Sequence, residues 1–302
     1  MNSLKMDQNL HLIELKLEID GFRNFISSWI YTGKYTFLVD VGPFASIHTL
    51  IESLKELGID KVDFILLTHI HIDHAGGIGE FTEYFPEAKV VCHEQAVKHL
   101  IDPKRLFEAT KKALGKIAIA YGEMKPVIEK KIIPLEEFHE EGFEAIRTPG
   151  HAIHHVSYIY DKYIFAGEVA GVLHMVNDAI YQRPATPPKF YLEKSVESLD
   201  KLLKKGKKKI CFGHFGMHNN AEKILLQHKE QLFLWKDVIA QQMKQESNKE
   251  ALLDQCIKEL LLADRLFMPY HQLDDDIKQR ELFFVKNTID GYIDYINDGL
   301  SK

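Results

Sequence analysis

The sequence predicts an α/β (α+β) protein in which short apolar strands alternate with helices and are followed by a helical region. Three observations support this class. Residues 11–40 contain three extended segments separated by Asp-Gly and Gly-Lys turn signals. Residues 45–57 carry apolar side chains at helical spacing and lead into a short, fully apolar strand at 64–67. From about residue 219 onward, the apolar pattern is helical and contains no convincing strand.

The order of these elements divides the chain into two predicted regions. Residues 1–218 are expected to form a strand-containing domain with a mostly helical insertion at about 94–125. Residues 219–302 are expected to form a C-terminal helical region. Further strands are predicted at 88–92, 142–147, 156–160, 163–166 and 209–212, and a further helix at 190–204.

Composition places the chain among ordinary globular proteins. Hydrophobic residues make up 45% of the 302 residues and charged residues 27%. The first twenty residues lack the apolar core of a secretory signal and no apolar run is long enough to span a bilayer, so we expect a cytoplasmic protein without a membrane partner. The net charge of −6 argues against nucleic-acid binding, which depends on clustered Lys and Arg. Three widely spaced cysteines, Cys92, Cys211 and Cys256, indicate neither a disulfide framework nor a cysteine metal site.

The segment 68–74 places three imidazoles and one carboxylate directly after the predicted apolar strand. Imidazole and carboxylate are the ligands that zinc and similar divalent metals prefer. In a tight loop, alternate residues can face one point while Ile70 and Ile72 face the core. A chance cluster of solvated histidines would rarely include isoleucines so regularly. The segment therefore predicts metal ligation by His69, His71, Asp73 and His74.

The spacing HxHxDH resembles the signature of the metallo-β-lactamase superfamily, which includes glyoxalase II-like thioesterases and lactonases. Four other segments resemble that family's motifs and occur in the family's order between about residues 11 and 216. They are LVDVG at 38–42, TPGH at 148–151, FAGE at 165–168 and GHFG at 213–216. The resemblance implies an αββα sandwich, in which two mixed β-sheets pack face to face with helices outside and the metals lie at one edge of the sheets.

The resemblance also implies two divalent metal ions, with zinc preferred and iron or manganese as alternatives. One ion would be held by His69, His71 and His151, and the second by Asp73, His74 and His214. Glu168 would bridge them. The family usually has Asp at this position, and Glu adds one methylene to the reach of the carboxylate.

Other candidates support this set. Asp40 resembles the family's acid that orients a ligating histidine, with an ordinary turn aspartate as the alternative. His155 is expected to make a supporting hydrogen bond. Asp73 is also a candidate for relaying a proton to the leaving group. Tyr181 and His174 are weaker catalytic candidates, with simple packing as the alternative for Tyr181 and a surface or turn position as the alternative for His174.

The predicted function is hydrolysis of an ester, thioester, lactone or related small carboxyl derivative by water that the metals activate. One alternative is a phosphodiesterase, which a two-metal site also suits. A second is an iron-dependent oxidoreductase of the sulfur dioxygenase type. A third is a binding protein that has lost activity, which the complete set of ligand-type residues does not favour. A homodimer is compatible with the sequence.

Overall fold

The computed structural model describes residues 2–300 of the chain, which form two compact units built from interleaved segments. The first unit comprises the chain up to Arg147, His154–Gly167 and Gly213–Phe215, and the second comprises Thr148–Ile153, Glu168–Phe212 and the chain from Gly216 onward. The domain boundary after residue 218 stays a prediction.

A seven-stranded mixed sheet forms the centre of the first unit. Its strands are β1 (Ser3–Lys5), β2 (Leu10–Glu14), β3 (Ser27–Thr32), β4 (Thr36–Val39), β5 (Phe64–Leu66), β6 (Lys89–Cys92) and β7 (Ile132–Pro134). They lie side by side in chain order, antiparallel from β1 to β4 and parallel from β4 to β7. Parallel strands need crossover connections, and helices provide them here.

The helices of the first unit connect these parallel strands. They are α1 (Ile47–Glu56), α2 (Ile72–Ala75), α3 (Ile78–Tyr84), α4 (Val97–Ile101), α5 (Lys104–Leu114) and α6 (Lys116–Tyr121). Helix α1 buries Leu50, Ile51 and Leu54 on one face. Gly58, two residues beyond the helix, has a φ of +70° and donates its N–H to the Lys55 carbonyl, which forms a left-handed helix end that glycine favours.

A second, antiparallel set of strands packs on the first sheet within the same unit. It consists of β8 (Phe143–Arg147), β9 (Val156–Tyr160) and β10 (Tyr163–Gly167). The ring centroid of Phe37 lies 4.9 Å from that of Phe143, 5.2 Å from that of Tyr160 and 5.7 Å from that of Phe165. Edge-to-face ring pairs of this kind each contribute about 0.5–1.5 kcal/mol beyond the area they bury. Strands β8–β10 therefore form the second layer of a β-sandwich.

The second unit contains a hairpin, a short strand pair and the C-terminal helices. Its elements are β11 (Val172–Val176), β12 (Ala179–Arg183), α7 (Leu192–Leu203), β13 (Lys209–Phe212), β14 (Met217–His218), α8 (Ala221–Gln242), α9 (Lys249–Ala263) and α10 (Asp275–Leu300). Mixed sheets, flanking helices and a helical C-terminal region confirm the predicted fold class. The β11–β12 hairpin was not predicted. Within residues 2–300, even the long helices lack the apolar stretch that crossing a membrane requires.

The parallel part of the seven-stranded sheet determines where polar side chains gather. Asp40 follows β4, Thr68 follows β5 after one residue, and His93 follows β6. The carboxyl ends of adjacent parallel strands meet at one edge of a sheet, which is where ligands bind in open α/β sheets. This edge therefore brings the segment 68–74 next to Asp40.

Close packing at this edge leaves no room for a side chain at Gly167. Gly167 ends β10 with a φ of +58°, and a Cβ placed there would lie 2.3 Å from Nε2 of His155 and 2.9 Å from Cβ of Thr68. Its carbonyl accepts a 2.8 Å hydrogen bond from the N–H of Gly213. Gly58 has a similar φ of +70° but no neighbour within 4 Å of such a Cβ.

Gly167→Ala is therefore expected to destabilise the protein more than Gly58→Ala. Both changes impose left-handed backbone strain of about 1–2 kcal/mol, and only Gly167→Ala adds a steric overlap that costs a further 1–3 kcal/mol or so. Urea unfolding followed by circular dichroism measures the free energy of unfolding of each variant. Equal losses for the two variants would contradict the packing described here.

Candidate metal centre

The carboxylate of Asp40 is a buried acceptor for three donors. Its Oδ1 accepts the N–H of Thr68 at 2.8 Å, and its Oδ2 accepts the Thr68 hydroxyl at 2.7 Å and Nδ1 of His74 at 2.9 Å. The backbone of Asp40 is left-handed, with a φ of +56°, and is held by a bond to Leu66 and one from Ser28. With 1% of its surface exposed, Asp40 is an orienting acid rather than an ordinary turn aspartate.

The bond to Asp40 determines which nitrogen of His74 can bind a metal. A carboxylate oxygen only accepts hydrogen bonds, so Nδ1 of His74 carries the proton and Nε2 presents its lone pair. The carbonyl of His74 also accepts the N–H groups of Val41 and Gly42, at 2.9 and 3.0 Å. The ring and the backbone carbonyl of His74 are therefore both fixed, with Nε2 facing the candidate site.

Asp73, His74 and His214 come together in the first unit. Each offers one ligand-type atom, and these atoms lie within 4.8 Å of one another. An Asp73 oxygen lies 3.8 Å from Nε2 of His74. The His214 ring stacks on Phe25 with centroids 4.2 Å apart, and the backbone carbonyl of His214 accepts a hydrogen bond from the hydroxyl of Ser27. One carboxylate and two imidazoles are a donor set that fits a divalent metal ion.

His69 and His71 form a second group of candidate ligands in the first unit. Thr68 donates its only hydroxyl proton to Asp40, so its oxygen accepts the hydrogen bond from Nδ1 of His69 at 3.0 Å. Nε2 of His69 then presents its lone pair, 3.1 Å from Nδ1 of His71. Two nitrogen ligands of a tetrahedral zinc ion stand about 3.3 Å apart. The spacing of these two nitrogens therefore fits a shared metal.

His151 and Glu168 form a comparable pair in the second unit. Nδ1 of His151 donates to the carbonyl of Ala185 at 2.8 Å, so Nε2 presents a lone pair. That nitrogen lies 2.9 Å from Oε2 of Glu168, which is 6% exposed. A nitrogen lone pair and a carboxylate oxygen at this distance need a cation between them, either a proton or a metal ion.

His155 lies beside these ligand candidates without any exposed surface. Its ring centroid is 5.3 Å from that of His69, and its Nε2 is the atom that a Cβ at Gly167 would meet. The ring therefore packs between the strand-end glycine and a candidate ligand. Its predicted supporting hydrogen bond stays a prediction.

Tyr181 and His174 lie in a buried charged cluster of the second unit. The Tyr181 hydroxyl donates to Glu281 at 2.8 Å, and Arg183 donates to the same carboxylate oxygen at 2.5 Å. Nε2 of His174 accepts from Arg280 at 2.9 Å. Burial lowers the pKa of His174 and raises that of Tyr181 well above its ordinary value. The Tyr181 hydroxyl thus donates to Glu281, which fits the packing alternative, and the catalytic roles of Tyr181 and His174 stay predictions.

Sequence reasoning missed several residues that orient the candidate ligands or hold strand β12. Thr68 adjoins the histidine motif, but only its contact with Asp40 shows its role in orienting His69. Glu281 lies 98 residues from Arg183, and nothing in its local sequence distinguishes it from a surface glutamate. The Ala185 carbonyl orients His151, but it is a backbone group, so no side chain in the sequence indicates this role.

The sequence matches a known family over most of the segment that contains these residues. A family model described as the metallo-beta-lactamase superfamily matches residues 21–214. The chain is 33% identical over 208 residues to the metallo-beta-lactamase fold-containing protein ST1585 of Sulfurisphaera tokodaii, covering 66% of this chain and 75% of that protein. It is 34% identical over 157 residues to the probable metallo-hydrolase MJ0888 of Methanocaldococcus jannaschii, covering 50% and 70%.

Two further comparisons bear on fold and chemistry. The crystal structure of ST1585 matches with a TM-score of 0.67 at 25% identity, covering 95% of this chain and 99% of that one. A hydroxyacylglutathione hydrolase of Buchnera aphidicola is 32% identical over 145 residues, which is 48% of this chain and 46% of that protein.

Asp40→Asn is expected to weaken metal binding while the protein still folds. The new amide NH₂ can donate to Nδ1 of His74, which moves the imidazole proton to Nε2 and blocks the nitrogen that faces the site. We expect the affinity for one metal equivalent to fall about 10–100-fold and the free energy of unfolding to fall by about 1–3 kcal/mol. Chelator competition and elemental analysis measure the metal.

His93→Ala is the matched control. His93 follows a neighbouring strand of the same sheet, but its Nδ1 accepts the N–H of Gln95 at 3.1 Å. This variant should keep its metal. Wild-type metal affinity in Asp40→Asn would show that the Asp40 carboxylate does not orient His74.

Proposed function

Because this chain belongs to the metallo-β-lactamase superfamily and is one of its metallo-hydrolases, we propose that it hydrolyses a small carboxyl derivative at a two-metal centre. Esters, thioesters and lactones are the substrate classes. One observation carries the proposal. The three imidazoles of His69, His74 and His151 each have Nδ1 bonded to a neighbouring oxygen, which leaves Nε2 of each ring to bind a metal.

The proposed ligand sets follow the family's motifs. His69, His71 and His151 would hold one ion, Asp73, His74 and His214 would hold the second, and Glu168 would serve as a ligand shared by both. Zinc is the preferred metal, with iron or manganese as alternatives, because mixed nitrogen and oxygen ligation selects weakly among these metals. Bound divalent ions would supply Lewis acidity that lowers the pKa of the attacking water and polarises the carbonyl group under attack.

Asp73 is the group of this chain that handles the proton. It lies in the first turn of α2, and its side chain is 13% exposed whereas that of His74 is 2% exposed. A carboxylate at this position can accept the proton that the attacking water loses and deliver it to the leaving group. Asp40 and Thr68 keep the imidazoles oriented while this proton moves.

Thioesters are the favoured class among these substrates. The hydroxyacylglutathione hydrolase similar to this chain is named for a thioester substrate, which supports the same leaving-group chemistry here. A phosphodiester would instead require cationic side chains around its additional anionic oxygens. Arg147 is paired with Glu94 at 3.0 and 3.2 Å, and Arg183 is buried against Glu281 at 2.5 Å. Both arginines near the motifs are thus engaged by carboxylates.

A substrate panel tests the proposed function. At matched concentration, thioester, ester or lactone hydrolysis by the metal-loaded protein should exceed phosphodiester hydrolysis at least tenfold. The rate should rise through neutral pH as the attacking water loses its proton. Protein treated with a chelator and gel-filtered is the control and should lose activity until metal is restored. Faster phosphodiester turnover, or consumption of dioxygen with a thiol substrate, would overturn the proposed reaction.

Glu168 tests the two-metal arrangement. If it bridges, Glu168→Ala should weaken binding of one metal equivalent at least tenfold and lower kcat sharply, because a carboxylate that both ions share is lost. Glu168→Asp restores the residue usual in the family and should keep both metals with partial activity. Elemental analysis and steady-state kinetics provide both readouts. Two tightly bound metals and a full rate in Glu168→Ala would exclude Glu168 from the centre.

A further inference from the structure

The backbone turn that follows Glu168 is tightly enclosed in the second unit. The N–H of Gly171 donates to the carbonyl of Glu168 at 3.0 Å, which closes a four-residue turn. Gly171 has a φ of +71°, and a Cβ there would lie 2.1 Å from the carbonyl oxygen of Arg183 and 2.9 Å from the His228 ring. The turn therefore packs against strand β12 on one side and helix α8 on the other.

Gln182 of strand β12 bonds directly to this turn. Its Nε2 donates to the carbonyl of Ala170 at 2.9 Å, and its side chain has no exposed surface. Its backbone N–H donates to the carbonyl of Leu266 at 2.9 Å. The amide thus joins the turn that carries Glu168 to a strand whose own position is fixed by the C-terminal region.

A buried polar network on α8 holds Gln182 in turn. Nε2 of Gln231 donates to the carbonyl of Gln182 at 2.8 Å and to Asp264 at 2.7 Å, and Trp235 donates to the same carboxylate oxygen at 2.7 Å. Nδ1 of His228 lies 3.1 Å from Oε1 of Gln231. Burial lowers the pKa of His228 to about 4, so its ring is neutral at pH 7 and donates through Nδ1.

The residues on either side of Gln182 form hydrogen bonds with helix α10 instead of α8. Tyr181 and Arg183 both donate to Glu281 of α10, where Arg280 also donates to the carboxylate. Burial alone would lower the pKa of Arg183, but the charge of Glu281, with a smaller contribution from Glu168, outweighs burial and raises it. Three consecutive residues of β12 thus reach two C-terminal helices, which leaves the strand little freedom to shift.

We propose that Gln182 is a positioning residue that sets the location of the Glu168 carboxylate. This inference rests on the proposed role of Glu168 as a metal ligand. A glutamate has one more rotatable bond than the family's usual aspartate, so its carboxylate needs a more firmly fixed backbone to stay in place. The bond from Gln182 to Ala170 supplies that constraint, and it connects the C-terminal helices to the turn that carries Glu168.

The test compares Gln182→Leu with Tyr292→Phe. Leucine keeps the approximate volume of glutamine but cannot donate to Ala170. Tyr292 is a matched control because it is also fully buried and donates to the carbonyl of Leu232, joining α10 to α8 away from the turn. We expect Gln182→Leu to weaken binding of one metal equivalent about 10–100-fold and to lower kcat with little change in KM, while Tyr292→Phe keeps wild-type values. Both should show similar decreases in Tm.

A double variant separates positioning from general destabilisation. If Gln182 acts through Glu168, adding Gln182→Leu to Glu168→Ala should cause no further loss of metal affinity. Additive losses, or wild-type metal affinity and kcat in Gln182→Leu, would overturn the inference. Should Gln182→Leu fail to fold, Gln182→Asn, which keeps the amide but is one methylene shorter, takes its place with the same expected result.

These outcomes also separate the inference from the proposed function. If Glu168→Ala itself keeps both metals, the ligand assignment fails, whatever Gln182 does. If Glu168→Ala loses a metal and Gln182→Leu does not, only the positioning role fails. A wild-type protein that binds both metals but hydrolyses no carboxyl derivative would remove the proposed reaction and leave the positioning of the metal centre intact.

Discussion

The buried carboxylate of Asp40 is the constraint on which the site depends. A carboxylate with 1% of its surface exposed is costly to bury unless donors surround it. Its donors are the backbone and hydroxyl of Thr68 and the ring of His74, so the requirement to satisfy one charge also fixes the loop after β5. The left-handed backbone at Asp40 is stabilised by the same contacts, since strained conformations persist where their surroundings determine them fully.

The same device recurs at each oriented histidine. Asp40 accepts from His74, Thr68 from His69, and the Ala185 carbonyl from His151. The three acceptors differ in charge, but each keeps a proton on Nδ1 and directs the Nε2 lone pair away from it. Rings that are oriented before a metal arrives lose less rotational freedom when it binds, which favours tight binding. Orientation of the rings is thus built into the polypeptide.

Local patterns in the sequence predicted the elements that a short segment encodes. The apolar run before Thr68 and the HxHxDH spacing predicted a strand and a ligand loop, and Asp40 was expected to orient a histidine. The β11–β12 hairpin was missed, although Asn177-Asp178 between two partly apolar runs is a turn signal and Asn177 is left-handed. Contacts such as Tyr181 with Glu281, 100 residues apart, could not be predicted because only tertiary packing brings them together.

Strand β12 also limits how parts of such proteins can be exchanged. Its residues Tyr181, Gln182 and Arg183 have their partners on α8 and α10 or in the segment between them. A chimera with its crossover between the end of β12 and the start of α8 would separate these residues from their partners and leave buried amides and guanidinium groups unsatisfied. The hairpin and the C-terminal helices must therefore be inherited together, as one transferable block, whenever either is grafted onto a related scaffold.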